Sequence, residues 1–215
     1  SQAMYEFVWN EVCDWFLELS KPALQGGDAA AIASTRHTLL YVIEQSLRVL
    51  HPLIPFVTEE IWSHLAPKLG LAAATGTDGT STSGADTQPS ISVQPYPLFD
   101  AALTNAQAAA DIEWLKAAIT ALRSIRSQLG VSPGKAVPLL IAANPHASNA
   151  AADRARIDRH AAGLSFLAKL ESIEWIDGEP PAAAAAVLGD LNLLVPLAGL
   201  VDLDAERVRL DKEIK

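Results

Sequence analysis

A single cysteine, Cys13, is all that these 215 residues contain, so no disulfide can form within the chain and a reducing compartment, the cytoplasm, is expected. Cys13 lies inside an apolar helical pattern, with no motif nearby that would lower its pKa, and reads as a small buried hydrophobe rather than a nucleophile. No apolar run approaches the roughly 18 to 20 residues that a membrane-spanning helix needs, and no signal peptide opens the sequence. Positive charge is scarce as well: 16 Lys and Arg stand against 25 Asp and Glu, a formal net charge of -9. That balance excludes a protein that meets nucleic acid with its whole surface, and it confines any such contact to a local patch. The five histidines, at 37, 51, 64, 146 and 160, show no metal-ligand spacing and have no cysteine partners, so no metal site is expected. The glycines between 70 and 90 lack the Lys-Ser/Thr pair of a phosphate-binding loop. No dinucleotide fingerprint occurs, and no nucleophile stands at a motif spacing from a base. On its residues alone the chain is not catalytic and calls for no cofactor.

What is present is apolar and periodic. Half of the residues are hydrophobic and 19% are charged, which suits one large globular domain or two modest ones. The stretch His51-Pro-Leu-Ile-Pro-Phe-Val-Thr-Glu-Glu-Ile-Trp62 organises the first half. Pro52 and Pro55 must stop the helical pattern before them and allow a new helix only at or after its first turn. Thr58 is the expected N-cap, with Glu59 and Glu60 against the positive helix end and Val57 and Trp62 as a hydrophobic staple. Glu59 and Glu60 point about 100° apart on a helix, so they suit capping rather than paired acid-base work. Upstream, Tyr5, Val8, Val12, Trp15, Phe16 and Leu19 make one broad helical stripe, ended by Pro22 and Gly26-Gly27. Asp28 caps a second helix that runs to about Leu50, and a third follows the corner to about Leu69. Trp9, Trp15, Trp62 and Trp114 are expected mostly in the core.

Residues 70–90 collapse to Ala, Gly, Ser and Thr and read as a flexible insertion, followed by an extended return over 91–97. A fourth helix spans about 105–129, with Ile112, Leu115, Ile119, Leu122, Ile125 and Leu129 on one face. Lys116, Arg123 and Arg126 fall close to another side of it, and between 114 and 135 there are four cations, Lys135 the last, and no acid. Beyond Ser132-Pro133-Gly134-Lys135 the pattern becomes that of one small sheet with a helix laid over it: a strand at 137–143, a helix at 150–170, a strand at 172–176, and a hairpin of 183–188 with 191–195 about Gly189-Asp190. Residues 202–215 form a charged helix, solvent-exposed or the root of a coiled coil. The chain begins and stops within helical patterns, as a piece of a longer protein would. Near its start, Asp14, Glu18 and Lys21 stand four and three residues apart, which suits either an intrahelical ion pair or an edge that accepts hydrogen bonds from unstacked bases beside an aromatic ring.

Four stretches together resemble one family. These are Tyr5-Glu-Phe-Val-Trp-Asn-Glu-Val-Cys-Asp-Trp-Phe-Leu-Glu-Leu-Ser-Lys-Pro22, the corner from His51 to Trp62, the run from Glu113-Trp-Leu-Lys116 through Ile125-Arg126 to Ser132-Pro-Gly-Lys135, and Leu193-Leu-Val-Pro-Leu-Ala-Gly-Leu200 with Leu210-Asp-Lys-Glu-Ile214. The chain is similar over most of its length to the bacterial valyl-tRNA synthetases. The corner alone is shared with the isoleucyl and leucyl enzymes, whereas the Cys-Asp-Trp helix and the Leu-Asp-Lys-Glu end narrow the likeness to valine.

The resemblance implies a mainly α fold: an antiparallel anticodon-binding helical bundle over residues 1–130, with 70–90 an insertion; a small α/β subdomain over 131–200; and the start of a coiled-coil helix over 201–215. It implies a monomer in the cytoplasm that binds the valine anticodon stem-loop of tRNA, works with the catalytic domain of the same chain, and meets neither membrane nor DNA. The parent enzyme would attach valine to tRNA with ATP and edit threonine. The His-Ile-Gly-His-type and Lys-Met-Ser-Lys-Ser-type signatures of that chemistry are absent, so no catalytic residue or cofactor is expected here. By the same resemblance Asp14, Trp15, Leu17, Glu18 and Lys21 would lie on the anticodon face, and Arg123, Arg126 and Lys135 would contact phosphates. The alternatives are the equivalent part of an isoleucyl or leucyl enzyme, or a helical scaffold for protein partners.

Overall fold

The structure is a computed structural model that describes residues 2–70, 90–143, 150–198 and 200. The core of the expected 70–90 insertion and the charged helix at 202–215 lie outside the described residues. Among the described residues the chain is mostly helical with one four-stranded sheet, and it divides into two compact units, Ser1–Thr104 and Asn105–Lys215. The fourth helix, expected in the bundle, thus groups with the sheet. Among the described residues no helix is long and apolar enough to cross a membrane, and no His, Cys, Asp and Glu group could hold a metal ion.

The first unit opens with a helix in three sections: α1 (Gln2–Glu6), a π-helical stretch (Phe7–Phe16) and α2 (Leu17–Gly26). In the π stretch each N–H reaches back five residues, as Leu17 N–H does to the Val12 carbonyl. The 3.6-residue period therefore fails there, and the expected single stripe breaks up: Val12 is buried, Tyr5 is exposed, and Trp15, Phe16 and Leu19 are half-buried. Pro22 does not end the helix but sits inside α2. It removes one backbone donor, while two residues earlier the Ser20 hydroxyl supplies an extra donor to the Phe16 carbonyl at 2.7 Å. The stop comes at Gly27, where a Cβ would lie 2.4 Å from the Ala23 carbonyl oxygen. No residue with a side chain fits that turn. Asp28 then caps α3 (Ala29–Leu50) as expected, accepting from Ala31 N–H at 2.8 Å.

The corner is built differently from its expected plan. Helix α4 (Pro55–Leu65) begins at Pro55 with Ile54 as N-cap and no side-chain cap bond. Proline's fixed φ and missing donor suit the first turn, so the helix starts before Thr58 rather than at it. Thr58 is instead buried within the helix and donates back to the Ile54 carbonyl at 2.9 Å. Its one proton being spent there, the His51 Nδ1 at 2.8 Å must be the donor to Thr58 Oγ1. Val57 is exposed, so it makes no staple, whereas Trp62 is fully buried against Leu47, Leu65, Ala66 and Ile91.

Ile91 belongs to a short 3-10 turn (Ile91–Val93), not to an extended segment. The Ser90 side chain makes the turn by accepting from Ser92 N–H, and it donates to Glu59 Oε2 at 2.9 Å. Glu59 thereby ties the returning chain to α4 instead of capping it.

In the second unit Asn105 caps α5 (Ala106–Gln128), its Oδ1 accepting from Ala108 N–H at 2.9 Å. Leu115, Ile119, Leu122 and Ile125 are buried along one face, while Ile112 at the start of that row is partly exposed. The remainder is the expected set of four strands and one helix: β1 (Val137–Ala143), α6 (Ala150–Ala168), β2 (Leu170–Trp175), β3 (Ala183–Leu188) and β4 (Leu191–Pro196), in sheet order β2-β1-β4-β3. β1 pairs parallel with β2 across the α6 crossover and antiparallel with β4. Pro138 sits in this inner strand, where a missing N–H is costly. It is accommodated by a register shift between Val137 and Leu139 and lies beyond the β4 ladder, which covers 140–143. Gly189, at φ +60°, makes the tight turn that pairs Leu188 with Leu191.

Candidate nucleic-acid interface

In the first unit the underwound N-terminal helix decides which side chains face water. Tyr5, Trp9, Asn10, Asp14 and Leu17 are exposed on it. From Tyr5 to Trp9, Trp9 to Asp14 and Asp14 to Leu17 the spacings are four, five and three residues, which follow the change from α to π and back, because residues five apart stack along an i→i−5 ladder. Of the expected anticodon-face residues, Asp14 and Leu17 are exposed, and Trp15, Glu18 and Lys21 are half-buried. Lys21 Nζ lies 2.5 Å from Glu18 Oε1. At that partly exposed site the pair contributes a few tenths of a kcal/mol, and both ends can exchange it for another partner.

The Tyr5 and Trp9 rings stack with centroids 6.2 Å apart and planes within 6°. Of the four tryptophans read as mostly core, Trp62 is buried, Trp15 and Trp114 are half-buried and Trp9 is 56% exposed. The i,i+4 spacing of Tyr5 and Trp9 carried the signal for their contact. Their exposure depends on what stands opposite, which spacing does not report.

In the second unit the expected basic side of α5 is divided by burial. Arg123 is exposed, with one guanidinium nitrogen 3.4 Å from the Leu167 carbonyl, and Lys135 is exposed in the turn that follows α5. Lys116 pairs with Glu113 at 2.8 Å, an acid just outside the acid-free window.

Arg126 departs from expectation. It is 6% exposed, and its guanidinium donates to the carbonyls of Ser132 at 2.9 Å, Lys135 at 2.7 Å, Pro133 at 3.4 Å and Lys169 at 3.3 Å. Desolvation holds its pKa below the ordinary arginine value. A phosphate contact by Arg126 is therefore corrected to a structural role. Its planar fork matches several carbonyls at once, joining α5, the 132–135 turn and Lys169, a non-glycine residue at φ 53° where α6 gives way to β2.

A second polar cluster in this unit escaped the sequence reading. Asp111, buried on α5, accepts from Arg156 Nε at 3.1 Å, Gln107 Nε2 at 3.1 Å and Arg159, and its Oδ2 lies 3.9 Å from His160 Nε2. Burial pushes the Asp111 pKa up, but the Arg156 and Gln107 hydrogen bonds and the charges of Arg159 and Arg156 outweigh it and hold the carboxyl below the usual range. For His160 burial comes first and lowers the pKa; Asp111 opposes it, and Arg159 and Arg156 add to it. Arg156 also lies 5.4 Å from the Trp114 ring centroid. Arg156, Arg159 and His160 lie more than 40 residues from Asp111 in sequence, so no spacing announced them. These cations are bound to an internal carboxylate and brace α5 against α6.

The two units thus present an exposed helix edge with aromatic and carboxylate groups, and an exposed pair of cations around the end of α5. Residues 1–141 match the family described as the anticodon-binding domain of tRNA ligase, and the chain belongs to that family. Among its relatives, the valine–tRNA ligase of Stenotrophomonas maltophilia (strain R551-3) is 57% identical over 219 residues, covering 100% of this chain and 21% of that protein. Those of Xanthomonas euvesicatoria pv. vesicatoria (strain 85-10) and Xylella fastidiosa (strain 9a5c) are 53% and 52% identical, again over the whole chain and 20% of each relative. The chain therefore spans about a fifth of the length of the curated relatives it matches.

Proposed function

We propose that the chain is the anticodon-binding region of a valine–tRNA ligase, a cytoplasmic enzyme that attaches valine to its tRNA with ATP. The whole-chain identity to valine–tRNA ligases, joined to the family match over 1–141, carries this reading. In it the chain holds the valine anticodon stem-loop and performs no chemistry, while ATP and valine are handled by the catalytic domain of the same polypeptide, which acts as a monomer. The helices of the first unit would belong to an antiparallel bundle, 131–200 would be a small α/β subdomain, and 201–215 would lead into a coiled coil.

Asp14, Trp15, Leu17, Glu18 and Lys21 are proposed to meet the anticodon loop. Asp14 is suited to accept from base amino groups, Trp15 to stack and Lys21 to reach a phosphate. Arg123 and Lys135 are proposed as separate phosphate contacts, with Arg126 holding the turn that carries Lys135. Phosphates supply affinity and base edges specificity, so the two sets call for different readouts.

The test is a binding titration with valine tRNA and with the same tRNA altered only in its anticodon. Weaker binding of the altered tRNA is expected. Equal binding would point to a scaffold with nonspecific contact, and preference for isoleucine or leucine tRNA would move the chain to a sister enzyme.

A further inference from the structure

The first unit carries a groove that the proposed RNA contacts do not use. It is lined by Met4, Phe7 and Val8 of the N-terminal helix, by Val42 and Val49 among others on α3, and by Leu98, Phe99 and Leu103 of the segment before α5. Its volume is about 710 Å³, against the roughly 30 Å³ that one water occupies, so it has room for several large side chains. Asp100 is the one charged residue among its lining. Phe7, Leu98 and Phe99 are 52%, 90% and 85% exposed, a contiguous apolar surface of the kind that marks an interface.

We infer that this groove is the seat of an amphipathic helix supplied by the part of the longer ligase polypeptide that lies outside these 215 residues. The inference rests on the reading of the chain as one region of such an enzyme.

Three observations lead to this occupant. First, the unit's core is thin: Val12, Leu47, Trp62, Leu65, Ala66 and Ile91 are its buried hydrophobic residues among those described, against sixteen in the second unit. A deficit of that kind concerns folding, and it is met by a permanent part of the same polypeptide rather than by a transient partner. Second, two walls of the groove are helices whose backbone groups are already bonded, so they offer no edge to an added strand. An element buried there must satisfy its own N–H and C=O groups, which a helix does. Third, the relatives are almost five times as long as this chain, so polypeptide is available to fill the groove. The 71–89 segment is not suited to it, having Leu71 as its one large apolar residue.

The test compares the 215-residue chain with the full-length ligase. In each, hydroxyl-radical modification is measured at Phe7, Phe99 and Tyr41, the α3 ring that lines the groove, with and without Phe99→Glu. We expect about tenfold lower modification of these rings in the full-length protein. We also expect Phe99→Glu to leave the melting temperature of the short chain unchanged while lowering that of the full-length protein by several degrees. Equal modification and equal tolerance of Phe99→Glu in the two proteins would overturn the inference. So would protection in the short chain that rises with concentration, which marks a second copy, or protection lost on removing 201–215, which marks that segment. None of these readouts involves tRNA. A protected groove in a protein that ignores the anticodon would sink the functional proposal alone, and anticodon-specific binding with an open groove would sink this inference alone.

Discussion

Arg126 shows how far the role of a charged residue depends on where its atoms end up. Four carbonyls, from Ser132, Pro133, Lys135 and Lys169, converge on one buried guanidinium. Ser132 and Lys169 keep backbone donors, Lys135 N–H at 3.0 Å and Val137 N–H at 3.1 Å, so removing the guanidinium takes the side-chain donor from the Pro133 and Lys135 carbonyls above all, at about 1 to 3 kcal/mol for each that finds no water. Arg126→Ala should therefore lower stability by roughly 3 kcal/mol or more. Arg126→Lys should recover only part of that, since an ammonium cannot span the same acceptors. Urea unfolding measures both; a lysine variant as stable as the parent would show that charge, not the planar fork, is what the site needs. Trp62 gives the apolar counterpart. Fully buried among Leu47, Leu65, Ala66 and Ile91, it should cost about 3 to 5 kcal/mol on truncation to Ala. Any loss of tRNA binding should follow the unfolded fraction, and a folded Trp62→Ala protein that no longer binds would make the corner a contact site.

At the scale of elements, the brace between α5 and α6 makes stability depend on pH in a stated direction. Folded His160 has a pKa below the ordinary 6.5, so over the interval between the two values the unfolded chain binds more protons. The stability due to neutral His160 is then complete above about pH 6.5, declines as pH falls below it, and levels off beneath the folded pKa. Asp111 is held below the ordinary 3.8, so its contribution is present above that pH and is lost as pH falls through and below it. Both limbs run the same way, and this cluster predicts acid lability with no alkaline counterpart. Thermal melts from pH 8 to pH 3 should show two declines, one beginning near 6.5 and one below 4. Asp111→Asn should abolish the lower one and keep the upper, because Arg156 and Arg159 still disfavour the charged imidazole. A single decline in the parent protein, unaffected by Asp111→Asn, would contradict this assignment. The N-terminal helix is the other element whose geometry matters, since ten residues of π-helix re-aim Tyr5, Trp9 and Asp14 relative to an ordinary α-helical wheel.

At the scale of the whole molecule, a net charge of -9 means that the proposed affinity for RNA must come from few cations, each adding its own increment to the salt dependence. Each phosphate contact to single-stranded RNA steepens log K against log salt by about 0.7. If Arg123 and Lys135 each neutralise one phosphate, replacing both by Ala should reduce the slope by about 1.4 and weaken all tRNAs alike. Asp14→Ala should instead narrow the gap between matched and altered anticodons and leave the slope unchanged. An unchanged slope in the double variant would remove these two residues from the interface.

The sequence by itself determined the elements whose cause is local. Asp28 announces its helix because a side-chain oxygen three residues ahead of an N–H is a local arrangement. The order of the four strands and their helix follows from the switch in apolar period, and the family follows from short motifs distributed along the chain. Even local reasoning failed where two signals competed: at the corner Pro55 set the helix start and pulled Thr58 inside. Tertiary structure decided which groups are available. Arg123 and Arg126 stand three residues apart on one helix, yet one is exposed and the other is closed in by a turn and by Lys169, 43 residues further on. Trp9 and Trp62 look alike in their helical patterns, and their burial depends on whether Ile91 or open solvent stands opposite. Periodicity records how the chain turns about its own axis; exposure is a property of distant segments, and only the packed molecule brings them together.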